Sequence, residues 1–218
     1  MDVDLALAGD ASYILQAILP YVEKTEHKIW MEQIREWQRN DYHPKDSFTE
    51  LKPHQIINEI CEQAGPEAVY VTDVGQHQMW TAQHFPFLHP RQLITSGGLG
   101  TMGFGLPAAM GAQLARPKSR VISISGDGGF KMTGSELFTI ASYKLPVTAI
   151  VFNNSGLGMI RQLQTVQFNK RFTSCEMPGY VDFVKYGEAF GVAGEHVDTP
   201  EALAAAVEKA MQLDAPYI

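Results

Sequence analysis

The stretch that decides the fold is Arg120-Val121-Ile122-Ser123-Ile124-Ser125, which runs straight into Gly126-Asp127-Gly128-Gly129. β-Branched side chains at 121, 122 and 124, with no turn residue among them, read as a buried strand, and the glycines end it. Two runs of the same kind flank it. Ala68-Val69-Tyr70-Val71-Thr72-Asp73 lies upstream and Val147-Thr148-Ala149-Ile150-Val151-Phe152 downstream, and a shorter apolar run, residues 92–95, falls between the first two. The intervals read as helices: residues 53–64, the small-residue segment 107–115, and a segment containing 136–142. Past an irregular region come two more, near 180–189 and 200–213. Uninterrupted strands alternating with helices predict an α/β fold of three layers, α/β/α, around a parallel sheet.

Parallel strands all release the chain at the same rim, and ligands of such folds bind there, around a topological switch point. Three polar or glycine-rich clusters follow predicted strands: residues 73–77, 126–129 and 153–158. They are expected side by side. Asp127 among glycines and Asn153-Asn154 after the next strand put a carboxylate and a carboxamide on neighbouring strand ends. Two hard oxygen ligands suit Mg²⁺, which keeps its other positions for water and phosphate. The glycines let backbone N–H groups approach phosphate oxygens without Cβ interference. Either cluster alone would be an ordinary turn; the pair, each behind a strand, points to a magnesium-diphosphate site.

Gly98-Leu99-Gly100-Thr101-Met102-Gly103 matches the dinucleotide fingerprint G-x-G-x-x-G. That fingerprint wants an acidic residue about twenty positions on, where Lys118 stands instead, so a dinucleotide site is not the expectation. No Ser/His/Asp order or Cys/His pair supports a side-chain nucleophile. The reacting carbon is then expected on the cofactor.

Toward the start, residues 3–8 read as a strand, 11–22 as an amphipathic helix and 28–39 as a second helix with Ile29, Trp30, Ile34 and Trp37 on one stripe. One βα unit cannot bury both faces of its strand. Residues 1–40 are therefore expected to be the C-terminal tail of a second α/β domain, 41–52 a linker, and 53–218 the diphosphate domain. The closing run Asp214-Ala215-Pro216-Tyr217-Ile218 reads as the first residues of a further strand, so the chain is expected to be a piece of a longer protein.

Composition narrows the partners. Apolar residues make up 45% and charged residues 19% of 218 residues, and the net charge is −7. A polyanion partner such as a nucleic acid needs clustered Lys and Arg, which are missing. No apolar run is long enough to span a bilayer. Cys61 and Cys175 fit reduced thiols, and the first ten residues lack the basic start of a signal peptide. A bacterial cytoplasm is the expected location, with a plastid protein stripped of its transit peptide as the alternative.

Gly126-Asp127-Gly128, twenty-four residues, then Asn153-Asn154 resembles the diphosphate-binding signature of thiamine diphosphate enzymes. Val74-Gly75-Gln76-His77-Gln78-Met79-Trp80, the run from Thr95 to Pro107 (TSGGLGTMGFGLP) and Leu157-Gly158-Met159 narrow the resemblance to the large catalytic subunit of acetolactate synthase. It covers nearly the whole chain. The resemblance implies Mg²⁺ held by Asp127, Asn154 and the carbonyl of Gly156. It implies diphosphate contacts from Gln76, His77, Gly126, Gly128 and Gly129, with Leu157 and Met159 also at the cofactor. Gly100 would accept a hydrogen bond from the aminopyrimidine, and Met102 would support the cofactor's bent shape.

The implied reaction joins pyruvate to a second 2-oxo acid, pyruvate or 2-oxobutanoate, with loss of CO₂, in branched-chain amino-acid biosynthesis. Glyoxylate carboligase, pyruvate oxidase, a catabolic acetolactate synthase without FAD, or a binding domain with a relict site are the alternatives. The resemblance further implies a homo-oligomer with shared active sites, FAD bound mostly outside these residues, and a regulatory small subunit as a further partner. The family's activating glutamate has no counterpart here, so the chain alone is expected to lack synthase activity. Leu163 stands where many family members carry a tryptophan lining the substrate channel. A wider channel with weaker preference for 2-oxobutanoate is the expectation from it.

Overall fold

A computed structural model describes residues 3–40 and 51–218. The chain divides into two units, Met1–Asp46 and Ser47–Ile218. The linker expected over 41–52 lies, as far as residue 50, outside the described residues.

In the first unit, helix α1 (Ala11–Ile18) starts where the Asp10 carboxylate accepts the Tyr13 N–H at 3.0 Å. A 3-10 turn (Leu19–Tyr21) ends it, and helix α2 (Lys28–Asn40) follows, with Trp30 and Trp37 packed edge to face at 5.4 Å. The strand expected at residues 3–8 does not form; Val3 is 69% and Leu5 74% exposed. A strand needs a neighbour to take its N–H and C=O groups, and the described residues of this unit offer none.

The second unit is built on strands β1 (Val69–Thr72), β2 (Leu93–Thr95), β3 (Val121–Gly126) and β4 (Val147–Phe152) in the order β2-β1-β3-β4. All three pairings are parallel, with Val71 opposite both Ile94 and Ser123, and Ser123 opposite Ala149. The helices are α3 (Pro53–Ala64), α4 (Gln76–His84), α5 (Gly105–Ala115), α6 (Asp127–Thr133), α7 (Leu137–Ser142), α8 (Gly158–Gln167), α9 (Phe183–Glu188) and α10 (Pro200–Gln212). Because strand side chains alternate, Val69, Val71, Val121, Val147 and Ala149 form one face with Leu106, Ala109, Phe130, Leu137, Ile140 and Phe183. Tyr70, Ile122 and Ile124 form the other with Ile57, Ile60, Leu203 and Val207. The sheet is thus the middle of three layers, and each fully buried aliphatic contributes about 1.5–3 kcal/mol.

Local signals fix the helix starts. Pro53 opens α3, and the Gln55 side chain accepts the Lys52 N–H at 2.9 Å. Thr199 caps α10 through the Ala202 N–H, with Pro200 in the first turn. Beyond the four strands, Tyr217 bridges Thr148 and Ala193 in parallel, its carbonyl accepting the Ala149 N–H at 2.7 Å. The helix expected to contain 136–142 forms as α7, behind a 3-10 turn (Gly134–Glu136) and one further helix, α6. Glycines at 128, 129 and 134 hide α6, since glycine is a poor helix former that tertiary packing overrides.

Candidate functional site

The strand order places a switch point between β1 and β3. From β1 the chain steps to β2 on one side, then crosses to β3 on the other. At that point the carboxyl ends of β1, β3 and β4 open into a cleft. Gln76, His77, Met102, Gly126, Asp127, Gly128, Gly129, Asn154, Gly156, Leu157 and Met159 all line it. The three clusters expected on one rim therefore share one cavity. Gly100 and Leu163 are not among the lining residues. Gly100 sits in an exposed loop with a φ of +65°, and Leu163 is 43% exposed on α8.

Asp127 is the first residue of α6, directly after β3, and is 1% exposed. Neither carboxylate oxygen has a hydrogen-bond partner. Burial pushes its pKa above the ordinary carboxylate value, opposed by the Lys131 ammonium and by the backbone N–H groups of Gly128, Asp127 and Asn154, which lie near the carboxylate without the geometry of a hydrogen bond. A buried, unpartnered carboxylate is unfavourable unless a cation takes the oxygens. Asn154, two residues past β4, lines the same cleft, and its Oδ1 accepts the Gly156 N–H at 3.1 Å and folds residues 154–156 into a turn. These donors suit Mg²⁺, with two or more positions left for phosphate oxygen and water. Among the described residues there is no cluster of three His, Cys, Asp or Glu to hold a metal without such a ligand.

His77 lies in the first turn of α4, 5% exposed, with Nε2 unpartnered. Burial pulls its pKa down to about 4 against the opposing pull of Asp73, so the ring is neutral at neutral pH. Its fit depends on two glycines, since a Cβ on Gly75 would come 2.7 Å, and one on Gly126 3.2 Å, from the ring's Cε1. A Cβ on Gly128 would project into the cleft and come within 2.6 Å of Leu157 Cδ2 and 3.5 Å of Met102 Cε. The floor is therefore a cradle that a side chain would fill, suited to phosphate approaching backbone N–H groups at a helix start. Gln76 lies over Gly158 and donates from Nε2 to Gln162 at 2.9 Å, joining α4 to α8.

Asp73, assigned no role by the sequence reading, organises the same rim. Its oxygens accept N–H groups from Val74 (2.8 Å), Gly103 (3.1 Å) and Gly105 (2.8 Å), which ties the loop carrying Met102 to the end of β1. A Cβ on Gly129 would overlap Asp73 Oδ1, so this glycine makes room for a carboxylate as well as lining the cleft. The one available signal was an aspartate ending a strand ahead of a glycine-rich loop.

The cleft's chemistry agrees with three comparisons. The profile described as thiamine pyrophosphate enzyme, C-terminal TPP binding domain, matches residues 73–218. The probable acetolactate synthase large subunit of Methanococcus aeolicus is 36% identical over 100% of this chain and 39% of its own length. The acetolactate synthase isozyme 2 large subunit of Escherichia coli (strain K12) is 38% identical over 98% of this chain and 39% of its own. The chain thus spans about two-fifths of the length of these relatives. Among solved structures, the thiamine diphosphate-dependent 4-hydroxybenzoylformate decarboxylase of Rhodococcus jostii RHA1 superposes with a TM-score of 0.74 at 31% identity, over 81% of this chain and 33% of that one. The chain belongs to the thiamine pyrophosphate enzymes and carries their C-terminal TPP binding domain at residues 73–218.

Proposed function

We propose that this chain is the cofactor-binding part of an acetolactate synthase, a transferase that joins pyruvate to a second 2-oxo acid with loss of CO₂. The observation that supports it most is the buried, unpartnered Asp127 carboxylate at the rim of a cradle of glycines, in a chain similar to acetolactate synthases along its whole length. Thiamine diphosphate, when bound, supplies a thiazolium ring that serves as electron sink for loss of CO₂ from a 2-oxo acid.

The chain's own residues hold and orient. Asp127, Asn154 and the Gly156 carbonyl would take Mg²⁺, and the N–H groups at the start of α6 would meet diphosphate oxygens, with Gln76 and the neutral His77 beside them. Met102, from the loop tied to Asp73, closes the apolar side of the cleft with Leu157 and Met159. In this reading Gly100 meets the aminopyrimidine and Leu163 borders the acceptor's path. FAD and the second subunit of a homodimer belong to the proposal through the same resemblance, as does the role of residues 1–40 as the close of the preceding domain.

The Rhodococcus structure favours a second reading, a decarboxylase of 2-oxo acids on the same cofactor. Product analysis separates the two. An enzyme carrying this chain, with the regions its relatives have beyond it, should convert pyruvate to 2-acetolactate, and pyruvate plus 2-oxobutanoate to 2-aceto-2-hydroxybutanoate. Release of free aldehyde with no carboligation product would favour the decarboxylase.

A further inference from the structure

We propose that Arg161, Gln164 and Glu176 are positioning residues that fasten residues 173–177 across the turn 154–157 and so set how tightly that turn holds magnesium. The inference rests on the reading of the cleft given above and concerns what supports one half of it. Asp127 is buried at the start of α6, directly behind β3, whereas Asn154 and Gly156 lie on a turn outside the sheet.

That turn is held from outside. Gly156 and Glu176 form an antiparallel bridge, the Leu157 N–H donates to the Cys175 carbonyl at 2.7 Å, and the Met177 N–H donates to the Ser155 carbonyl at 3.1 Å. The fit is close, since a Cβ on Gly156 would lie 2.8 Å from the Cys175 oxygen, and Cys175 is 1% exposed. Ser155 (φ 55°) and Ser174 (φ 53°) both sit in the left-handed region, which a non-glycine residue keeps only when its surroundings impose it.

Two fastenings from α8 impose it. The Gln164 carboxamide grips Thr173 both ways, Nε2 donating to its carbonyl at 2.9 Å and Oε1 accepting its N–H at 3.0 Å. Arg161 Nη1 meets Glu176 Oε1 at 2.9 Å while its guanidinium lies 4.6 Å from the centre of the Phe172 ring. Both ends of that ion pair are more than half exposed, so it adds little to global stability and acts mainly on where the segment lies. Magnesium demands near-octahedral placement of its oxygens. A turn freed from the strap would still bind, at higher metal concentration.

The test uses the chain with thiamine diphosphate and MgCl₂, comparing wild type with Gln164→Leu, Glu176→Gln and the double variant. The magnesium concentration giving half-maximal cofactor binding should rise about tenfold or more in the double variant, as for groups that orient metal ligands. Saturating magnesium should restore binding, and urea stability without ligand should stay at the wild-type value. Amide hydrogen exchange is the second readout: Leu157 and Met177 should lose protection in the variants while the amides of β3 keep theirs. A wild-type magnesium requirement in the double variant, or unchanged protection at 157 and 177, overturns the proposal. Wild-type chain that takes up no thiamine diphosphate at any magnesium concentration would count against the cleft reading alone, and the exchange readout would then decide for or against the strap.

Discussion

Gly128 and Gly129 are adjacent, both line the cleft, and both read in the sequence as room for phosphate, yet alanine should destabilise the fold at one position and leave folding nearly unchanged at the other. A Cβ on Gly129 would overlap Asp73 Oδ1 and stand 2.7 Å from its Cγ. The carboxylate has no free side to retreat to, because Gly105, whose own Cβ position lies 2.8 Å from the Asp73 nitrogen, closes the far wall. Displacing it breaks one or more of the bonds to Val74, Gly103 and Gly105. Each buried N–H left unpaired costs about 1–3 kcal/mol, and the overpacking adds about 1–3 kcal/mol. Removing a glycine from helix α6 returns about 1 kcal/mol. The net loss for Gly129→Ala is about 3 kcal/mol, a large part of a domain's 5–15 kcal/mol.

A Cβ on Gly128 meets only the ends of Leu157, Met102 and Met177, flexible side chains that turn away at about 1 kcal/mol, which the same helix gain offsets. Gly128→Ala should therefore fold within about 1 kcal/mol of wild type and fail to bind cofactor, because its methyl and the displaced side chains occupy the cleft. Urea unfolding followed by circular dichroism measures both. Equal stabilities for the two variants, or a less stable Gly128→Ala, would refute the role given to Asp73.

Three other outcomes follow from the same geometry. The His77 pKa of about 4 in the fold lies below its ordinary 6.5. The unfolded chain therefore takes up a proton first as pH falls, and stability drops between those values by on the order of 3 kcal/mol. His77→Gln should flatten this drop, and a difference between variant and wild type that does not change from neutral pH to about pH 4 would contradict it. Asp127 has the opposite sign: its raised pKa means the fold binds the proton more tightly, so its carboxylate destabilises at neutral pH and is relieved as pH falls through the raised value. Asp127→Asn should raise the neutral-pH stability of the ligand-free chain, and a loss of stability in urea titrations would count against an unpaired carboxylate. Leu163→Trp in an enzyme of its relatives' length should shift acceptor use toward 2-oxobutanoate, and an unchanged product ratio in direct competition would remove Leu163 from the acceptor's path.

The sheet was legible because its strands are short, β-branched and bounded by glycine or asparagine, and because parallel strands share a rim by geometry alone. That is why the sequence alone brings Asp127, Asn154 and the glycines beside Asp127 to one rim. Asp73 escaped because its partners at 103, 105 and 129 are about thirty to fifty-six residues away, and no local pattern carries such a contact. Residues 3–8 misled for the reverse reason: they have strand composition, but a strand exists only with a neighbour. The strap at 173–177 has no periodicity to read, and its placement comes from side chains of α8, a helix whose glycine-flanked start looked irregular. Gly100 and Leu163 rested on resemblance alone, and they lie outside the cleft lining.

In the proposed function Asp127 is the carboxylate that brings magnesium and diphosphate together. The direct measurement is calorimetric titration of thiamine diphosphate into the chain, with and without Mg²⁺, for wild type and Asp127→Asn. Binding that requires magnesium in the wild type and disappears in the variant is the predicted result. Binding that is indifferent to magnesium, or that survives in Asp127→Asn at wild-type strength, would contradict it.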